Sequence, residues 1–326
     1  MMRVRPITHN DLDGIFALAI ATGLGVSSLP PDKNWLKQRI AWSETSFAKK
    51  SLSMVSNEYY GFVMEESTTG MLVGTASIIA CLGAGDSFFS LAVSKHNLHC
   101  VQHYEGFSEL CGLFLLHDFR KLFYGKLLSR SRFLFYACFP KRFPKKVMAE
   151  IRGDLDKEGQ SIFWQEVGRP IYNMTLKEAD HHVIYGDPDF IKQYAHYYPI
   201  AIDALSQTAK SAIGAFYPNS AAAKKMLENE GFSYHGSLNI FDGGPALECA
   251  WDNLLSVKHC IFLEVSYNAW HSEENEQALV ANNRLDFRCG LCHVVIDRDN
   301  GVVYLKEEEG KNIGVEAGDT VCVLVL

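Results

Sequence analysis

The chain contains no apolar run approaching the ~18 residues of a membrane-spanning helix, and its opening, Met-Met-Arg-Val-Arg-Pro, has no apolar stretch of the secretory kind. It has no surplus of positive charge. With 31 Lys and Arg against 38 Asp and Glu, the net charge is -7, which argues against general affinity for nucleic-acid phosphates but allows a local basic pocket. Low-complexity linkers and long repeats are absent. The nine cysteines are odd in number and scattered through apolar segments, a distribution that suits reduced thiols rather than a disulfide framework. These absences lead to the expectation of a cytoplasmic protein that binds neither membrane nor nucleic acid.

What is present is an ordinary globular composition. In 326 residues, 48% hydrophobic and 21% charged, there is enough apolar material for one large core and a smaller one. Alternation predicts a strand at 3–7, and apolar spacing predicts helices at 11–21 and 34–50, separated by a loop at 23–31. Strands follow at 60–65 and 71–81, then a nearly all-apolar strand at 109–116 of the kind covered on both faces. A basic turn leads into a long helix at 126–139, whose Phe and Tyr recur too densely for a one-sided binding stripe and read as core. A strand at 145–152 and a short helix at 161–167 come next, and helical and loop pieces alternate over 188–222. A helix at 221–230 precedes strands at 232–241 and 245–249.

Beyond Trp251, short apolar runs separated by turns suggest a small β-rich C-terminal domain over 251–326, leaving 1–250 as the main domain. A helix and a glycine precede a strand twice, at 161–168 and 221–231, which leaves open two similar half-folds, 1–180 and 181–250. The expected class is α/β (α+β), a mixed twisted sheet flanked by helices.

The segment most suggestive of chemistry is the basic turn after the apolar strand. A strand-to-helix turn aims backbone N–H groups and the positive end of a helix dipole at a ligand, which favours phosphate. Arg120 and Lys121 add charge there, and Gly125 permits close approach. An ordinary connection with solvated basic residues would look much the same. Cys289-Gly-Leu-Cys-His293 spells a haem-attachment pattern and half of a zinc site. With no second Cys-x-x-Cys, and with Cys292 and Val294 alternating on one strand face, it reads as core thiols, and no metal is expected. His181-His182 reads as a solvated pair.

The spacing from Arg120 to Gly125 resembles the pyrophosphate-binding turn of the GNAT acyltransferase superfamily, with Phe123 where a first glycine is usual. Whole segments are closer still. MMRVRP (1–6), SLP (28–30), SELCGLFL (108–115), LLSRSRFLF (127–135), AEIRG (149–153), FWQ (163–165), LENEGFSY (227–234) and IFDGGPALEC (240–249) resemble, in order, the arginine N-succinyltransferases. That resemblance implies a GNAT-like fold and transfer of succinyl from succinyl-CoA to the α-amine of L-arginine in arginine catabolism. Ornithine or another amine remains an alternative acceptor. A homo-oligomer, or pairing with a similar chain of which this one is a catalytically weak subunit, is also implied.

Such chemistry needs a group to take the amine's proton, donors for an oxyanion, and an acid for the departing thiolate. The resemblance places Arg120, Lys121, Tyr124 and Gly125 on the cofactor's pyrophosphate and the Leu113 backbone beside its thioester. The family's proton-donating histidine corresponds to Tyr217, a phenol that can protonate a thiolate but is a poor base. Glu109, opening the central strand, is the candidate proton acceptor. Arg152 and Asp154 are candidates for the two ends of arginine, Glu248 for its guanidinium, and Asp242 and Ser28 for further acceptor contacts. A turn-forming Asp242, a solvated Glu109, an Arg152–Asp154 pair and a packing Tyr217 are the plainer readings.

Overall fold

The computed structural model describes the chain apart from residues 24–25, 27, 52–53, 122, 186–189 and 268–274, and apart from the side chains of 183 and 184. Parts of the expected 23–31 loop, one residue of the basic turn and the start of the 188–222 region thus lie outside the described residues.

The chain opens with β1 (Met2–Pro6), α1 (Leu12–Thr22), α2 (Lys33–Ala48), β2 (Tyr59–Glu66) and β3 (Leu72–Ile79). The hairpin β4 (Ser90–Val93) and β5 (Asn97–Val101) follows, then β6 (Ser108–Leu115), α3 (Tyr124–Cys138) and β7 (Lys146–Glu150). Asp32 caps α2 by accepting from the Trp35 N–H at 2.9 Å. A π-helical turn (Trp164–Gly168), α4 (Arg169–Tyr172), α5 (Leu176–Ile184), α6 (Phe190–Tyr194), β8 (Ile200–Ala201) and α7 (Gln207–Ala212) form the next stretch. α8 (Ala221–Glu230) ends at Gly231 in the left-handed region, and β9 (Ser233–Leu238) and β10 (Pro245–Ala250) follow.

The last part comprises α9 (Leu255–His259), β11 (Ile261–Ser266), β12 (Glu276–Asn282), β13 (Cys289–Asp297), β14 (Val302–Tyr304), α10 (Glu307–Ile313) and β15 (Thr320–Val325). Strands β12, β15, β11, β14 and β13 pair in that order, and β12 also pairs with β13, so the appendage is a closed five-stranded barrel. Closure leaves it no free edge within the ring. Its β13 pairs antiparallel with β1, which joins the barrel to the main sheet. The sequence missed the β4–β5 hairpin, whose strands are short and polar-flanked, and also α5 and α10.

The main sheet continues β1-β2-β3-β6-β7-β10-β9-β4-β5-β8. From β1 to β6 neighbours run antiparallel, and β6 and β7 are parallel. α3 lies between the sheet and the barrel, so Leu127–Ser129 and Ser131–Tyr136 are all buried. Phe135 packs its ring 5.3 Å from both Phe62 of β2 and Phe287 of the barrel. Barrel strands alternate accordingly: Val280 and Val323 face the barrel interior, while Leu279 and Leu324 join the core around α3. Both faces are buried, which is why these strands read as continuous apolar runs.

One contact fixes the end of β7. A Cβ on Gly153 would meet the Asp242 carbonyl oxygen at 2.2 Å, and one on Gly244 would meet the Ile151 carbonyl oxygen at 2.1 Å. The AEIRG and FDGGP segments therefore depend on each other: their glycines let two backbones touch. Gly153→Ala should lower stability by about 1–3 kcal/mol through overpacking, read as a lower urea midpoint. An unchanged midpoint would mean that the loop yields freely.

Candidate active site

β6 and β7 pair over two positions only, Ser108 with Val147 and Glu109 with Met148, and then separate. Beyond that point β6 keeps to β3 on its other side, and β7 keeps to β10. The separation opens a cavity of about 150 Å³ walled by Glu109–Leu113 and Ala149–Arg152, with Arg132 of α3, Ala223 and Leu227 of α8, and Asn239 and Asp242 also on its wall. Ser28 and Ser220 line it from the surrounding loops.

β6 is bulged here. Its register against β3 shifts between Thr75, opposite Phe114, and Ser77, opposite Cys111. Gly112 sits at φ +61°, the left-handed conformation a glycine adopts without penalty. Its N–H donates to Ser28 Oγ at 3.1 Å. The bulge turns backbone groups of Gly112–Leu113 out of ladder register on the cavity wall, an arrangement suited to meeting a carbonyl oxygen.

Two carboxyls, Glu109 and Glu150, line the cavity. Burial pushes Glu109 up to about 7, with the Arg39 charge pulling the other way. Glu150 is pushed to about 8, by burial first and then by the neighbouring charge of Glu109. Surface exposure makes Glu109 only half-buried because it faces the cavity, yet desolvation dominates, since the cavity is narrow and walled by protein. Like charges in one poorly solvated space cannot both ionise easily, so both groups hold protons up to near neutrality.

Asn239 positions this pair. Its Nδ2 donates to Glu150 Oε2 at 2.6 Å, while its Oδ1 accepts from the N–H groups of Phe241 and Asp242 at 2.8 and 3.1 Å. Asp242 accepts from the Gly244 N–H at 2.9 Å and holds Arg152 Nη1 at 3.0 Å. Arg152 Nη2 reaches Asp180 of α5 at 3.2 Å. Burial works against the Arg152 charge, but Asp242 and Asp180 more than offset it and hold its pKa up.

Of the residues singled out from sequence, Ser28, Glu109, Leu113, Arg152 and Asp242 line one cavity. The others lie elsewhere. Arg120 and Lys121 are exposed ahead of α3, and Arg120 Nε donates to the Leu115 carbonyl at 2.9 Å. Tyr124 and Gly125 begin α3, and a Cβ on Gly125 would meet nothing within 4 Å, so the first turn of the helix is open at that position. Tyr217 is half-buried off the wall: its ring packs on the second apolar cluster, its hydroxyl accepts from Asn219 at 3.4 Å, and its N–H donates to the Arg152 carbonyl at 2.9 Å. Asp154 is exposed and does not pair with Arg152, whose partners are Asp180 and Asp242. Glu248 pairs with His103 at 2.9 Å and Lys146 at 3.6 Å, away from the cavity.

Sequence reasoning missed Glu150, Arg132, Asn239 and Asp180. Glu150 and Arg132 both sit inside motifs that had drawn notice, and a charge amid apolar neighbours was the available signal. Asp180 had none, because α5 reaches the site only through tertiary packing. Among the described residues no group of three or more His, Cys, Asp or Glu is placed to hold a metal. Cys289 and Cys292 are buried core thiols, and His181 and His182 stack on Tyr185 and Phe190. No described helix is long and apolar enough to cross a membrane.

A free glutamate ionises near 4.5 and Glu109 near 7, so between these values the folded state keeps a proton that the unfolded state has lost. Wild-type stability attributable to Glu109 therefore falls as pH rises through that window. Glu109→Gln removes this loss. Its gain in Tm over wild type should be small at pH 4.5, grow up to pH 7 and then level off. A pH-independent difference would mean that Glu109 titrates as an ordinary carboxyl.

The model of the arginine N-succinyltransferase beta subunit matches residues 2–256, and that of its C-terminal domain matches 268–324. The arginine N-succinyltransferase of Enterobacter sp. (strain 638) is 38% identical over 308 residues, covering 90% of this chain and 89% of that protein. That of Yersinia enterocolitica is 34% identical over 342 residues, covering 100% and 98%. The solved structure of arginine/ornithine succinyltransferase subunit AI from Pseudomonas aeruginosa superposes with a TM-score of 0.88 at 30% identity, covering 100% of this chain and 98% of that one. With matches spanning nearly the whole chain, the protein belongs to the arginine N-succinyltransferase family.

Proposed function

We propose that this chain transfers succinyl from succinyl-CoA to the α-amine of L-arginine, directly and without a covalent enzyme intermediate. The observation that carries this reading is the opening between β6 and β7, where a bulged backbone and two carboxyls with raised pKa values share one small cavity. Family membership supplies the substrate classes, since the relatives are named for arginine and succinyl transfer.

Each step falls to a group on the wall or beside it. The open N-terminus of α3, with Arg120, Lys121, Tyr124 and Gly125, takes the cofactor's pyrophosphate. The acceptor's ammonium gives one proton to solvent, the neutral amine attacks the thioester carbon, and the nitrogen then gives its second proton to Glu109, directly or through water. The backbone N–H of Leu113 meets the oxygen as it gains charge, while the Gly112 N–H stays on Ser28. The C–S bond then breaks, and the thiolate takes back a proton from the Glu109–Glu150 pair. Arg152 and Asp242 shape the acceptor end, with Ser28 anchoring the bulge. Asp154 and Glu248 take no part, being off the wall.

A second reading has a specific support: the Pseudomonas aeruginosa structure is named for arginine and ornithine and as one subunit. L-ornithine is the competing acceptor, and a second chain is the competing requirement.

Thiol released by the purified chain with succinyl-CoA should depend on L-arginine and rise with pH through about 7 as Glu109 ionises. Release dependent only on ornithine would change the acceptor, and no release with either amine would make this a subunit needing a partner. Tyr217→Phe should lower turnover by far less than the ~100-fold expected for loss of a general acid. A loss of that size would restore the phenol to the donor role implied by its sequence position.

A further inference from the structure

Inside α3 one guanidinium has no counter-charge. Arg132 is 1% exposed, and its hydrogen bonds go one turn back along its own helix, from Nε to the Ser129 carbonyl and from Nη2 to Ser129 Oγ, both at 3.2 Å. No ion pair among the described residues involves it. Its neighbours differ: Arg130 pairs with Glu230 at 2.7 Å, and Arg152 holds two carboxylates. The titratable group acting on Arg132 is Cys111, whose thiol burial keeps neutral. Burial lowers the Arg132 pKa only to about 10, so it carries its charge at neutral pH.

An unpaired buried cation is costly, and an apolar side chain of similar size would serve packing alone better. Arg132 also lines the cavity, together with Glu109, Gly112 and Leu113. It stands eight residues beyond Tyr124, about 12 Å along the helix from its N-terminal end. A donor anchored by its phosphates at that end, with its thioester at the bulge, would carry its acyl chain into the cavity that Arg132 lines. We propose that Arg132 receives the distal carboxylate of a dicarboxylic acyl group, succinyl above all, and so selects the donor. The idea rests on the acyl-transfer reading above and adds to it the basis of acyl choice.

The chemistry fits. Nη1 is uncommitted among the described residues, and a guanidinium fork offers paired N–H donors to a carboxylate. A lysine could supply the charge but not the fork. A donor ending in methyl would leave the buried cation as it is now, unpaired, and would gain nothing from it.

Calorimetry without acceptor amine tests this apart from turnover. Succinyl-CoA should bind wild type at least about tenfold more tightly than butyryl-CoA, its analogue with methyl in place of carboxylate. Arg132→Gln should bring that ratio to near one. Equal affinities in wild type, or a preference kept by Arg132→Gln, would overturn the proposal, as would an equal loss for both donors, the mark of a structural role. If Arg132→Gln does not fold, Arg132→Lys and the wild-type ratio decide: lysine should shrink the preference by losing the fork, and an unaltered preference would overturn the proposal. A preference that disappears in Arg132→Gln, with no thiol release in wild type, would support the carboxylate site and remove the transfer reading.

Discussion

Two parallel strands that part after two residues set the terms for this molecule. A sheet normally satisfies its backbone by continuous pairing, and where β6 and β7 separate the inner edges lose their partners. The chain compensates locally. Gly112 N–H turns to Ser28, and Asn239 secures the loop that carries Asp242. The cavity is the space these substitutions leave, and its polar lining follows from the same gap.

Charge in that cavity divides by pairing. Arg152 is flanked by Asp242 and Asp180 and so is rigid and structural, tying α5 and the Asp242 loop to the end of β7. Glu109 and Glu150 lack such cations at contact distance and are left with raised pKa values, available for proton exchange. Arg132 lacks an anion. Groups of one kind are thus divided between fixed pairs and those a ligand would complete.

The barrel contributes through α3. Its β12 and β15 bury one face inside the ring and the other against α3, so this helix, which carries both the open N-terminus and Arg132, is clamped between sheet and barrel. Positioning by packing on both sides is tighter than a surface helix allows.

Sequence alone determined much of the scaffold, because local patterns carry it. Apolar alternation, apolar runs and composition located β1 to β3, β6, α3 and α8 to within a residue or two, and both-face burial explained the all-apolar strands. Residue order across AEIRG and FDGGP pointed to Arg152 and Asp242 but not to why their glycines are required, which is the contact of two backbones some 90 residues apart. Ion-pair partners were beyond its reach. Whether Arg152 meets Asp154 or Asp180, whether Glu248 faces the cavity or His103, and whether Tyr217 lies on the wall depend on how distant elements pack. The same holds for proton affinity: burial and neighbouring charge make Glu109 and Glu150 unusual, and both are set by the closeness of strands that the sequence does not place side by side.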